Sequence, residues 1–227
     1  MGPHLVGPFR ESYELHTFDL KPSPEENSFV GDLSEIEPLR EAMQGCDVVV
    51  HLAATSDEAP FVEQLVPSNV VGVYNVFEAA RLENVRRIVF AATIQAVGYN
   101  LRNTDTPFET EELPRPTTLY GATKVLGETM GRWYNDKHKM EFIAIRIGAF
   151  QPYDSPILCK NWCPGIWLSP RDAVSLFRKA IETPDIGYAI VNGTSKTIRE
   201  HLSLQSARSL LAYEPQEDIR DFCKNLP

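Results

Sequence analysis

Tyr120-Gly-Ala-Thr-Lys124 sets a phenol and an ammonium four residues apart. On a helix such positions share one face, with Cβ atoms about 5–6 Å apart, so the Lys124 charge would stand beside the Tyr120 hydroxyl. A free phenol, with a pKa of about 10, is a poor base at neutral pH, and an adjacent cation favours its ionised form. A Tyr and a Lys at this spacing also occur on ordinary surface helices, so the elements around them must decide. Upstream, the apolar run Arg87-Ile-Val-Phe-Ala-Ala92 ends at Thr93, and parallel α/β sheets bind ligands at the carboxyl ends of their strands. The Thr93 hydroxyl is thereby expected to hold a substrate oxygen whose proton Tyr120 removes or returns.

Strand-like and helix-like patterns alternate along the chain, which predicts an α/β architecture with a parallel sheet. Strands are expected at Tyr13–Phe18, Asp47–Leu52, Arg87–Ala92, Glu141–Ile147 and Tyr188–Asn192. Ser34 with Glu37 reads as a capping box opening a helix that stops at Gly45. Leu65, Val66, Val73, Val76, Phe77 and Ala80 keep helical spacing across 61–82, and Leu119–His138 reads as a long helix. Pro152, Pro156, Pro164 and Gly165 break up 149–168, read as loop. A helix at Arg171–Glu182 and short helical pieces at Ser206–Leu211 and Gln216–Phe222 complete the chain.

The 227 residues carry 22 Lys+Arg against 31 Asp+Glu, a net charge of −9. With no basic cluster to follow a phosphate backbone, nucleic acid is not expected as a partner. No apolar run reaches the roughly 20 residues that span a bilayer, and the amino end lacks the pattern of a signal peptide, so a cytoplasmic protein is expected. Cys46, Cys159, Cys163 and Cys223 lack the spacing of a disulfide framework and are read as reduced thiols. Cys159 and Cys163 have no second pair of ligands in view, and no metal is expected.

The ordered motifs Phe18-Asp19-Leu20, Gly31-Asp32-Leu33, Val50-His51-Leu52-Ala53-Ala54, Asn69-x-x-Gly72-x-x-Asn75 and Tyr120-x-x-x-Lys124 resemble the extended short-chain dehydrogenase/reductase superfamily, in its NAD-dependent epimerase/dehydratase branch. The likeness covers nearly the whole chain. From Ile88 to Asn192 it is most like uronate dehydrogenases, which oxidise the anomeric carbon of a sugar acid. The resemblance implies a Rossmann-like, doubly wound parallel sheet over 1–148 and a small substrate-binding lobe over 149–227, whose 187–192 strand returns to the sheet. It implies that Asp19 accepts hydrogen bonds from the adenosine ribose and repels a 2′-phosphate, favouring NAD over NADP. Asp32 and Leu33 would border the adenine, Ala53 and Ala54 the pyrophosphate and ribose, and Asn69 would steady the adjacent backbone. Lys124 would also hold the nicotinamide ribose. Ser56 matches a substrate-binding serine, and relatives dimerise through helices equivalent to 61–82 and 119–138.

The chain departs from the uronate dehydrogenase pattern in the substrate region. Ile94-Gln95 replaces the Asn-His pair that follows the catalytic hydroxyl, leaving Gln95 as the polar group there. No arginine occurs in the irregular stretch where one would clamp a carboxylate. Lys160 is the nearest cation, and a point charge does not reproduce a bidentate guanidinium. Ile94-Gln95 also lacks the Asp-Glu pair of sugar dehydratases. At the amino end, Gly2 matches the last glycine of the phosphate-binding fingerprint, with Asp19 following 17 positions later, while the first strand and the first two glycines are missing. A late start site, a truncation, or lost cofactor binding would each account for that. The readings open at this point are an NAD-dependent sugar or sugar-acid oxidoreductase, a sugar epimerase, and a non-catalytic relative.

Overall fold

The computed structural model describes residues 1–25, 27–98, 106–160 and 163–223. Its main sheet has four parallel strands in the order β3 (Val48–His51), β4 (Arg87–Thr93), β5 (Glu141–Ile147) and β8 (Tyr188–Gly193). Continuous β-branched and aromatic runs, buried along nearly their whole length in β4 and β5, form these inner strands because both faces are covered. One face packs against α1 (Gly2–Arg10), α5 (Pro170–Glu182) and α6 (Gln205–Leu211), through Phe9, Leu176, Phe177 and Leu211 against Val89, Ile143 and Val191. The other packs against α2 (Ile36–Met43), α3 (Gly72–Leu82) and α4 (Leu119–His138), through Leu39, Phe77 and Tyr134 against Ile88, Phe90 and Phe142. This is a doubly wound α/β fold.

A second parallel pair, β1 (His16–Asp19) with β2 (Asn27–Val30), lies apart from the main sheet. Between the two stands a cleft of about 1650 Å³, lined by Leu5 and Phe9 of α1, His16 and Phe18 of β1, and Val48 and Val50 of β3. Two buried polar atoms beside it, Thr17 Oγ1 and His51 Nε2, have no hydrogen-bond partner among the described residues. Gly2, Asp19, Leu33 and Ala53 also line this cleft.

Several local expectations change. The first strand is His16–Asp19, starting three residues later and ending one later than Tyr13–Phe18. The Ser34 capping box does not form: the helix starts at Ile36 after Glu35, and the Ser34 N–H donates to Asp32 Oδ1 at 2.8 Å. The 61–82 segment is not one α-helix. Phe61–Val71 winds as a wider π-helix and only Gly72–Leu82 is α-helical. Pro67 lacks an N–H and crowds the carbonyl four residues back, and the wider turn accommodates both defects. The 149–168 stretch is bracketed by a short parallel pair, β6 (Ala149–Phe150) with β7 (Trp167–Leu168). The last helix, α7, is confined to Ile219–Phe222.

The cysteines also depart from expectation. Cys159 and Cys223 form a disulfide with Cα atoms 5.4 Å apart, while Cys46 and Cys163 are free. The fold lays α7 against the segment that follows β6, where Phe222 stacks on Tyr153 with ring centroids 5.2 Å apart. Sequence spacing alone does not register that approach. Among the described residues, no helix is long and apolar enough to cross a membrane, and no group of His, Cys, Asp and Glu is arranged to hold a metal ion.

Candidate functional site

Thr93 ends β4, and the chain turns there through a short 3₁₀ segment, Ile94–Ala96, whose Gln95 N–H donates to Thr93 Oγ1 at 3.2 Å. Helix α4 starts nearby. Thr118 is its N-cap, accepting the Gly121 N–H at 2.8 Å. The two starts are in tight contact, because a Cβ on Gly121 would come within 2.5 Å of the Gln95 carbonyl oxygen. Further along, Gly127 and Gly131 let α4 settle directly onto the Phe90 and Phe142 rings. The Arg146–Glu128 pair, buried with two 2.8 Å hydrogen bonds, ties the helix to β5.

Tyr120 and Lys124 consequently face the sheet. The Lys124 ammonium is buried, 4.8 Å from the Phe90 ring centroid and 5.7 Å from that of Tyr120. Burial pulls its pKa from the usual 10.5 down to about 8. Behind it, His51 stacks on Phe90 with ring centroids 5.7 Å apart. Burial, and then the Lys124 charge, depress the His51 pKa to about 3, so its ring is neutral at physiological pH.

The Tyr120 phenol does not have the lowered pKa that its spacing from Lys124 suggested. It is pushed up to about 12, first by burial and then by the Asp57 carboxylate, against a smaller opposing effect from the Thr93 hydroxyl. Lys124 faces the ring of Tyr120, 5.7 Å from its centroid, and burial with the Asp57 charge sets the direction of the shift. In the free protein Tyr120 is therefore a proton donor at neutral pH.

Asn69 is buried in the wide helical segment. Its amide clamps the Thr55 backbone, accepting the N–H at 2.9 Å and donating to the carbonyl at 2.8 Å. It also donates to Thr123 Oγ1 at 3.3 Å. Asn69 thus positions the loop after β3 against α4. Ala53, Ser56 and Asp57 are exposed on that loop, with Ala54 half-buried. Asp19 stands exposed at the end of β1, and Asp32 is exposed with Leu33 half-buried behind it. Gly2 opens α1 close to the Leu52 side chain. Lys160 lies exposed beside the Cys159–Cys223 link. The fold thus brings Thr93, Gln95, Tyr120 and Lys124 together at one end of the sheet. Gly2, Asp19, Leu33 and Ala53 gather around the cleft.

Two participants escaped the sequence reading, Asp57 and Thr118. The Thr118 hydroxyl donates to Gln95 Oε1 at 2.6 Å, and Gln95 Nε2 donates to Asp57 Oδ1 at 2.8 Å. Thr118 carried a readable signal as a capping residue directly before the helix. Asp57 carried none, since it meets Gln95 across 38 positions.

The site can accommodate a dinucleotide. Lys124 holds a buried ammonium against the Phe90 and Tyr120 rings, and the Asp19 carboxylate stands exposed at the cleft, a donor and an acceptor of the kind that ribose hydroxyls pair with.

Comparisons with known proteins agree with this geometry. A glucose-6-phosphate dehydrogenase from Haloferax volcanii, described as NAD-dependent, is 32% identical over 244 residues, covering 98% of this chain and 91% of the relative. A uronate dehydrogenase from Agrobacterium fabrum is 35% identical over 200 residues, covering 86% of this chain and 71% of the relative. A solved uronate dehydrogenase variant from Agrobacterium tumefaciens, complexed with NAD, superposes with a TM-score of 0.86 at 30% identity, covering 97% of this chain and 82% of that one. The sequence profile of the NAD dependent epimerase/dehydratase family matches residues 1–150. With its parallel doubly wound sheet and these matches, the chain belongs to the NAD dependent epimerase/dehydratase family.

Proposed function

We propose that this protein is an NAD-dependent dehydrogenase that oxidises a hydroxyl of a sugar or sugar acid. The observation that carries the reading is the meeting of Thr93, Tyr120 and Lys124 at the carboxyl end of β4. Thr93 holds the substrate oxygen by a hydrogen bond, and Tyr120 takes the hydroxyl proton. Tyr120 must be ionised to take that proton, and Lys124, which holds the ribose of the cofactor, lends its charge to this phenolate. Asp19 receives the adenosine ribose and disfavours a 2′-phosphate, so NAD is preferred to NADP. Gly2, Asp32, Leu33, Ala53 and Ala54 border the dinucleotide, and Asn69 fixes the loop that carries the two alanines. Bound NAD supplies the hydride acceptor.

Residues 149–227 are read as the part that completes the substrate site, with Ser56 and Gln95 contributing from the other side. Lys160 lies in this part and is the weakest member of the set, being exposed beside the disulfide. The helical segment 61–82 and α4 expose Val62, Tyr74, Leu119, Leu126 and Trp133, which favours a homodimer built on that face. A cytoplasmic location completes the reading, on the mixed, charged composition.

Relatives that oxidise uronate, glucose 6-phosphate and L-arabinose support dehydrogenation over epimerisation. NADH formation at 340 nm with aldoses and uronates tests this directly. Accumulation of NADH in step with sugar oxidation is expected; isomerised sugar without net NADH would replace the dehydrogenase by an epimerase.

A further inference from the structure

Resting on that reading of the site, the polar chain beside Tyr120 narrows the substrate. Thr118, the N-cap of α4, donates to Gln95 Oε1, and Gln95 Nε2 donates to Asp57 Oδ1 at 2.8 Å. Both ends of the Gln95 amide are therefore committed, and its orientation is fixed by the Asp57 carboxylate, which can only accept. Asp57 sits at φ 60°, a left-handed conformation that short polar side chains tolerate, which turns the loop after β3 toward the Ile94–Ala96 turn. One carboxylate oxygen is held by Gln95, and the exposed side chain leaves the other able to accept from a ligand. This carboxylate is close enough to Tyr120 to oppose ionisation of the phenol, so its field reaches the reacting atoms.

We propose that Asp57, held by Gln95, is a specificity-determining residue that makes this site select neutral polyhydroxy aldoses over sugars carrying a carboxylate or phosphate. A sugar hydroxyl donates to the free Asp57 oxygen. An anionic group entering the same mouth meets a fixed like charge instead, and the guanidinium that could neutralise it is not found among residues 149–168, whose one cation, Lys160, stands exposed beside the Cys159–Cys223 link. The preference is set by repulsion as much as by attraction.

The test compares matched sugars that differ only at C6, D-galactose with D-galacturonate and D-glucose with D-glucuronate. Equilibrium binding to the full chain with NADH is measured by ligand-observed NMR, beside kcat/KM for NAD reduction. Wild-type protein is expected to bind the neutral member of a pair more tightly. Asp57→Asn is expected to shift the uronate-to-aldose affinity ratio about tenfold toward the uronate, the size of one like-charge contact at a partly solvated site. Neutral sugars should lose no more than a few-fold, because an amide oxygen still accepts a hydroxyl. Asp57→Gly, compatible with the positive φ, should shift the ratio in the same direction. The Tyr120-dependent limb of the pH–rate profile should move to lower pH in both variants, which a merely structural loop residue would not cause. A ratio that neither variant alters, or tighter uronate binding by the wild type, overturns the proposal and leaves the dehydrogenase reading standing. NADH binding without binding or oxidation of any aldose or uronate overturns both.

Discussion

Replacing Lys124 by Met should stabilise the protein while abolishing its turnover. The Lys124 ammonium is buried, and its pKa falls from 10.5 to about 8 because burial disfavours the charge. A depression of that size corresponds to about 3 kcal/mol of destabilisation when the group is charged in both folded and unfolded states. Ring contact with Phe90 at 4.8 Å returns about 1 kcal/mol. A methionine of similar length keeps the packing, so the variant should gain about 2 kcal/mol near neutral pH. Because the folded pKa lies below the unfolded one, the unfolded chain binds the extra proton, and the wild-type penalty is complete below pH 8. It fades as pH rises from about 8 to 10.5. The stability gap between variant and wild type should therefore narrow by about 2 kcal/mol between roughly pH 7 and 9.5. Urea unfolding followed by tryptophan fluorescence at several pH values measures both quantities. A variant no more stable than wild type at pH 7, or a gap that does not change with pH, would refute the reasoning.

Further outcomes follow from the packing and the disulfide. Gly121→Ala would press a Cβ to within 2.5 Å of the Gln95 carbonyl, shifting the start of α4. Its kcat should fall about 100-fold with little change in circular dichroism, as expected when reacting groups move by about 1 Å. Glu128→Ala strands the buried Arg146 charge and should cost about 3–5 kcal/mol in urea unfolding; a loss under 1 kcal/mol would mean that the pair does not anchor α4. Thiol titration of the unreduced, denatured chain should find two free cysteines, Cys46 and Cys163. Cys159→Ser, which opens a link spanning 64 positions, should lower stability by about 2–4 kcal/mol.

The central elements were legible because their physics is local. Strands β3, β4 and β5 are short apolar runs, and a run buried on both faces has few other ways to fold. The α4 helix and its Tyr120–Lys124 face follow from 3.6-residue periodicity alone. Strand β2 was missed, since Asn27-Ser28-Phe29-Val30 is four residues long and half polar. It forms because β1 offers it an edge, a tertiary fact. Pro67 was visible, but the chain's response, a wider helix in place of a break, depends on the packing of α4 against that segment. The Cys159–Cys223 link and the Asp57–Gln95 contact join positions far apart in the chain. The Tyr120 pKa illustrates the same limit. Spacing identified its helpful cation, while the opposing burial and the Asp57 charge became apparent only after folding.

The most direct test of the account is Tyr120→Phe, which removes one oxygen from a site otherwise left intact. NADH affinity by fluorescence and sugar-dependent NAD reduction are measured on the same preparation. NADH binding within a few-fold of wild type is expected, with turnover lowered about 1000-fold, within the range of a lost general acid–base. Turnover within tenfold of wild type, with NADH bound normally, would contradict it.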